Sequence, residues 1–228
     1  MTDEITQIVG EIVAQIDTTI TGIYNPDTEA VNFCKTKWAR KGKIITSEND
    51  DNFRITGIEY DDFIIASSIP AGTTFDTGTY YLPAPFYISG TRLATDREWT
   101  LINSNVMEKT PIVWLLETIT EDVFGRGDAR EFEATLRLFF LDETNIKDYY
   151  TADHRREVVL PMRNLVNSFI EVINNDRRFK TIDSMRVKTF SRFGVETEQG
   201  IFQNILDANL SGVELNLTLT KYKENCKC

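Results

Sequence analysis

Residues 131–145, EFEATLRLFFLDETN, constrain the fold more than any other stretch of the chain. Side chains along a strand alternate between two faces. The even positions Ala134, Leu136, Leu138 and Phe140 form one apolar face, and the odd positions Arg137, Phe139 and Leu141 form a second that is mostly apolar. A strand with grease on both sides sits centrally in a sheet and needs a layer over each face. The second layer must also accommodate an arginine. A helix of this chain, a copy of this chain, or both can supply it.

Two further stretches read as strands of the same sheet. PIVWLLETI (111–119) is again apolar on both faces, whereas GVELNLTLTKY (212–222) alternates, with Val213, Leu215, Leu217 and Leu219 facing in. Residues 2–20 place Ile5, Ile8, Val9, Ile12, Val13 and Ile16 on one helical stripe. Thr2 is a candidate cap, with Asp3 and Glu4 at the positive end of the dipole. A second helix over about 153–175 carries Val158, Met162, Leu165, Val166, Phe169, Ile170 and Ile173. Pro161 opens or kinks this helix, and Asn174 and Asn175 stop it. The fold class is α+β: an antiparallel or mixed curved β-sheet with two amphipathic helices packed on it and a long extended arm. A length of 228 residues with 41% hydrophobic content suits a single domain, 1–228.

Residues 21–69 read as a β-meander, with short β-like runs separated by NPD, RKG, ENDDN and YDD turns. Residues 70–110 lose regular period while keeping Phe75, Tyr80, Tyr81, Phe86, Tyr87 and Trp99. Such a segment is either an extended aromatic arm that anchors a neighbouring subunit or an excursion that packs back on its own sheet. With Arg137 and Phe139, those six aromatics are the candidate subunit-interface residues.

The formal charge is −10, with acids and bases mixed along the chain, which disfavours gripping nucleic acid. Only KTKWARKGK (35–43) approaches a basic cluster. It is either a phosphate-binding patch with Trp38 as a stacker or a solvated charged hairpin. Asp50-Asp51 and Asp61-Asp62 read as solvated turn acids rather than cation ligands. Cys34, Cys226 and Cys228 form neither a disulfide framework nor a metal knuckle, and no cofactor site is recognised. No signal peptide or membrane-length apolar run is recognised, so the expectation is a soluble protein made in a reducing cytoplasm. Arg126-Gly127-Asp128 spells an adhesive tripeptide within a turn, and the sequons at Asn209 and Asn216 need a secretory route to matter. His154, the only histidine, stands beside Asp153 with no nucleophile motif in the sequence. The reading is therefore not an enzyme. A receptor-binding or adhesive module, or an enzyme with no recognisable motif, are the alternatives.

What remains is self-association, because a sheet face or edge left uncovered within one chain can be covered by the next. In that setting Arg137 either pairs with an acid of a neighbouring copy or snorkels to solvent. The order of elements, with TPIVWLLE, FEATLRLFFLDETN, HRREVVLPMRNLVNSFIEVI and GVELNLTLTKY, resembles small virion proteins of tailed bacteriophages. It is similar to the tail-terminator and neck-ring (head-to-tail connector) group, including its crAss-like branch. The resemblance implies helices against a curved sheet and a six- or twelve-fold ring of copies stacked between portal, neck and tail-tube proteins. It implies DNA passing through without sequence-specific binding, no membrane, no catalytic residue, and a location in the virion.

Overall fold

The computed structural model describes residues 2–25, 30–33, 36–59, 63–69, 72, 76–91, 95, 96, 98, 99, 109–124, 131–145, 149–196, 202–204, 206 and 208–221. Helix α1 spans Thr2–Ala14 and buries Ile8, Val9, Ile12 and Val13, the expected stripe. It ends six residues before the sequence reading put it. The amides of Gln15 and Ile16 reach back only three residues, to Ile12 and Val13, which tightens the last turn. Asp17 then takes hydrogen bonds from both the amide and the hydroxyl of Thr19, a turn that starts the first strand.

Lys37 also donates to Asp17 at 2.8 Å. The Lys37 and Thr19 hydrogen bonds hold its carboxyl down at about 2, against an ordinary value of 3.8. A depressed carboxyl stabilises the fold above its unfolded value and loses that contribution as pH falls. Stability is therefore expected to drop between pH 3.8 and about 2. Asp17→Asn should flatten that part of a thermal-melt pH profile, modestly because the side chain is 67% exposed.

Strands β1 (Thr19–Asn25), β2 (Ala30–Phe33), β3 (Ile44–Ser47), β4 (Asn52–Glu59), β5 (Phe63–Ile69) and β6 (Gly78–Tyr81) form the expected meander. They pair in the order β1-β2-β5-β4-β3-β6, and β6 returns to β1, so the pairings run round a small closed barrel. Among the described residues β2 meets β5 at the pair Asn32 and Phe63. Ile20, Ile45, Phe53, Ile55 and Tyr80 fill the inside, with Tyr80 edge-on to Phe53 at 5.7 Å between ring centroids. β6 corrects the boundary of the arm: residues 78–81 complete the meander.

The larger sheet holds β7 (Phe86–Gly90), β8 (Ile112–Leu116), β9 (Thr120–Phe124), β10 (Glu131–Glu143), β11 (Met185–Phe190) and β14 (Leu210–Lys221). Its order is β11-β14-β10-β8-β7, with β9 continuing past β8 along the same side of β10. β7 and β8 are parallel and the other pairs antiparallel, so the sheet is mixed. β12 (Gly194–Glu196) and β13 (Phe202–Asn204) form a separate two-stranded ribbon. As expected, β10 is central: β14 flanks one side throughout, while β8 and β9 share the other.

The second helical region runs as a short α-turn Thr151–His154, a π-helical segment Arg155–Val159 and helix α2, Leu160–Asn175. Pro161 lies in the first turn of α2. Its ring would clash with the carbonyl four residues back, Glu157, and it offers that carbonyl no amide. The wider π segment sits where this conflict must be absorbed. Met162, Leu165, Val166, Phe169 and Ile173 then bury the expected stripe.

Both faces of β10 are covered by this chain. On one face Leu136, Leu138 and Phe140 join the helices and the inside of the barrel in one core. On the other, Phe139 and Leu141 join Ile112, Trp114, Ile88, Trp99, Phe193, Leu206 and Leu210 in a second core. The second cover is thus supplied within the chain, in part by helical residues around Trp99. It comes from the segments before β8 and after β11, both of which the hydrophobic period left unassigned. Residues 70–110 do not form a free arm where they are described: 78–81 and 86–90 are strands and Trp99 is 2% exposed.

Candidate functional site

The eight candidate interface residues separate once their surroundings are known. Phe75 lies outside the described residues. Tyr80 is buried in the barrel, and its hydroxyl donates to the carbonyl of Asp76 at 2.7 Å. Tyr87 leans on α1, where its hydroxyl donates to the Thr6 carbonyl at 2.7 Å, and burial pushes its pKa up to about 12. Trp99 and Phe139 belong to the second core, with Phe139 stacked on Trp114 at 5.3 Å and against Phe193 at 5.1 Å. Phe86 packs on the same core, partly buried. Tyr81, 40% exposed, remains accessible. Tyr80, Trp99 and Phe139 are therefore corrected from interface anchors to internal packing, while Tyr87 is partly buried against α1.

Arg137 has its acid within the chain. Its Nε donates to Glu214 on β14 at 2.7 Å, and its guanidinium lies 5.1 Å from the Phe139 ring centroid. Burial raises the Glu214 carboxyl, but hydrogen bonds from Arg137 and Asn216 and the charges of Arg137 and Lys188 outweigh it and bring the pKa below the ordinary value. The arginine on the second face is thus paired with an acid of its neighbouring strand.

Neither reading of KTKWARKGK holds for its described residues. Trp38 is 2% exposed and its indole N–H donates to the Pro83 carbonyl at 3.1 Å, so it is no stacker. Arg40 and Lys43 are buried on Asp142 at the end of β10, with Lys43 Nζ 3.2 Å and Arg40 Nε 3.4 Å from its carboxylate. Lys43 also donates to the Thr110 carbonyl at 2.7 Å, and Arg40 to the Glu143 carbonyl. Burial draws the Lys43 ammonium below its usual range, and Asp142 opposes that. Glu157, on the π segment, is a second buried acid, engaged by Arg156 at 2.9 Å. This cluster ties the barrel to the sheet. Sequence reading missed it because its partners lie about a hundred residues apart.

The structure also brings His154 to Ser211, with Nε2 and Oγ 2.9 Å apart, a pairing the sequence did not suggest. Burial lowers the histidine pKa. Ser211 has no exposed surface, and the carboxylate of Asp153 is taken by Arg156 and by the Tyr150 amide. A nucleophile that no substrate can reach does no acyl transfer, so the contact reads as a bridge between the helical run and β14. Asp50 and Asp51 lie in the β3–β4 turn as read, while Asp61-Asp62 and Arg126–Asp128 lie outside the described residues. Among the described residues no group of acids, histidines and cysteines could hold a metal, and no helix is long and apolar enough to cross a membrane.

Exposed apolar side chains occur on the barrel strands, at Ile23, Ile44, Ile69 and Tyr81, at Tyr150 before the helical run, and at the sides of the six-stranded sheet. β9 pairs only with β10, and β11 only with β14, among the described residues. On β9, Val123 and Phe124 are 49% and 52% exposed, and on β11 Met185 is 45% exposed. Such strands carry backbone donors and acceptors that a further strand can take up. No family model, curated protein or solved structure matches the chain.

Proposed function

We propose that this chain is a structural virion protein of a tailed bacteriophage. Its copies associate into a ring in the head-to-tail connector or tail-completion region, with DNA passing through. The observation that carries this reading is that β11, at one end of the six-stranded sheet, and β9, which continues past β8 on the other side of β10, each have one side unpaired among the described residues. A subunit with open edges on opposite sides is suited to join copies head to tail, and head-to-tail contacts generate rings when their rotation closes. The layout of elements that resembles neck and terminator proteins supports the same reading. The charge of −10 fits a wall past which DNA slides, since repelled phosphate makes no lasting contact.

Native mass spectrometry and negative-stain images of the purified protein test this. The expected result is a cyclic species of six or twelve copies with a central opening, formed by the protein alone or on a portal or tail-tube partner. A chain that stays monomeric under all of these conditions overturns the reading.

A further inference from the structure

We infer that β9 of one copy adds to β11 of the next, continuing the six-stranded sheet from subunit to subunit. This rests on the ring reading above and names the contact that would build it. Strand direction permits it. β11 is antiparallel to β14, β14 to β10, and β10 to β9, so β9 and β11 run in opposite directions on the two sides of the sheet. Setting β9 of one subunit beside β11 of another, with the sheet facing the same way, makes one more antiparallel pair.

The faces agree as well. Val123 pairs with Phe132 and lies on the helix-covered face, as do Met185 and Val187, which pair with Leu217 and Leu215. Asp122 lies on the opposite face, as do Arg186 and Lys188, which pair with Asn216 and Glu214. Two registers that keep the faces continuous set Val123 against an apolar side chain and Asp122 against a base. With Asp122 opposite Lys188, Val123 meets Val187 and Phe124 meets Arg186. With Asp122 opposite Arg186, Val123 meets Met185.

Two features point to a basic strand as the occupant of the β9 edge. β9 is TEDVF, with two acids and no base, whereas β11 is MRVKTF, with two bases and no acid. Within the chain Asp122 stands directly opposite Glu133 on β10, a like-charge pair that costs stability on its own. A cation alongside relieves that repulsion. The same charges oppose the alternatives, since β9 on β9 would gather acids and β11 on β11 would gather bases. A symmetric dimer through either edge is disfavoured, and the head-to-tail contact remains.

The test is sedimentation velocity on the full chain at low salt, comparing wild type, Asp122→Lys, Arg186→Glu, the double variant, and an equimolar mixture of the two single variants. Arg186 is chosen over Lys188 because its cross-strand neighbour is Asn216, whereas Glu214 beside Lys188 would repel a new acid. Each single reversal is expected to weaken assembly about tenfold, by turning a cross-strand attraction into a repulsion. In the register that sets Asp122 against Arg186, the double variant and the mixture should restore assembly, because every junction there again pairs opposite charges. Thermal melts identify any variant that fails to fold, and in that case Asp122→Asn and Arg186→Gln, which only remove charge, take its place and should show a smaller weakening. Wild type that assembles, with single variants that assemble equally well, overturns the edge contact and leaves the ring reading standing. A double variant that melts normally yet stays dissociated overturns the register that sets Asp122 against Arg186. Wild type that never assembles overturns both.

Discussion

Asp142→Asn is expected to lower the free energy of unfolding by about 3 to 5 kcal/mol, read as a lower urea midpoint at unchanged m-value. The carboxylate is 1% exposed and faces two cations that are themselves nearly buried, Lys43 at 3% and Arg40 at 7%. Taking three charges out of water is costly, and the attraction among them offsets that cost only while the acid is present. The amide is nearly isosteric, so the substitution leaves packing intact while two buried cations lose their counter-ion. Burial already draws Lys43 down and the charge of Asp142 opposes it, so the variant should drive that ammonium lower still.

Lys43→Met is the informative contrast. It leaves Arg40 to balance Asp142, and the cost should be clearly smaller than that of Asp142→Asn. Because Arg40 and Lys43 precede β3 while Asp142 ends β10, the loss would fall on the joint between barrel and sheet. A unit that loosens there should show earlier hydrogen exchange in β3 and β4 than in β10 and β14.

Legibility in the sequence followed the range of the forces involved. The helices and the central strand were readable because their signal is local: an apolar residue every three or four positions for Ile8, Val9 and Ile12, every second for Val213, Leu215 and Leu217. The alternation on β10 announced that two covers were needed, and two exist. What supplied the second was not readable, because Trp99, Phe193 and Leu206 are scattered through segments without a period and meet only after the chain has folded. The same holds for charge. KTKWARKGK looks solvent-facing until Asp142, about a hundred residues on, is placed under Arg40 and Lys43. Arg137 looked unpaired for the same reason, since only the β10–β14 register brings Glu214 to it. The edges were hidden differently. TEDVF and MRVKTF are ordinary strand sequences, and that each lies at the side of the sheet is a property of strand order, which no single stretch encodes.

Gly212→Ala is expected to cost about 3 kcal/mol or more, the sum of backbone strain and overpacking, and to lower the melting temperature by about 10 °C. Gly212 sits early in β14 opposite Leu141, with φ at +153°, a conformation that side chains rarely adopt. A Cβ built there would lie 2.0 Å from the carbonyl oxygen of Phe140 and 3.1 Å from its carbon. These are backbone atoms of the central strand, held between β8 and β14, so they cannot swing aside as the end of a side chain would. Gly57 is the control. It lies at the irregularity between β4 and β5 with nothing within 4 Å of a built Cβ, so Gly57→Ala should be close to neutral by circular-dichroism melting. Only a close crossing of β14 over β10 at Phe140 separates the two glycines so sharply. Equal melting temperatures for the two variants would mean that β14 does not meet β10 in this register, and the pairing of Arg137 with Glu214 would fall with it.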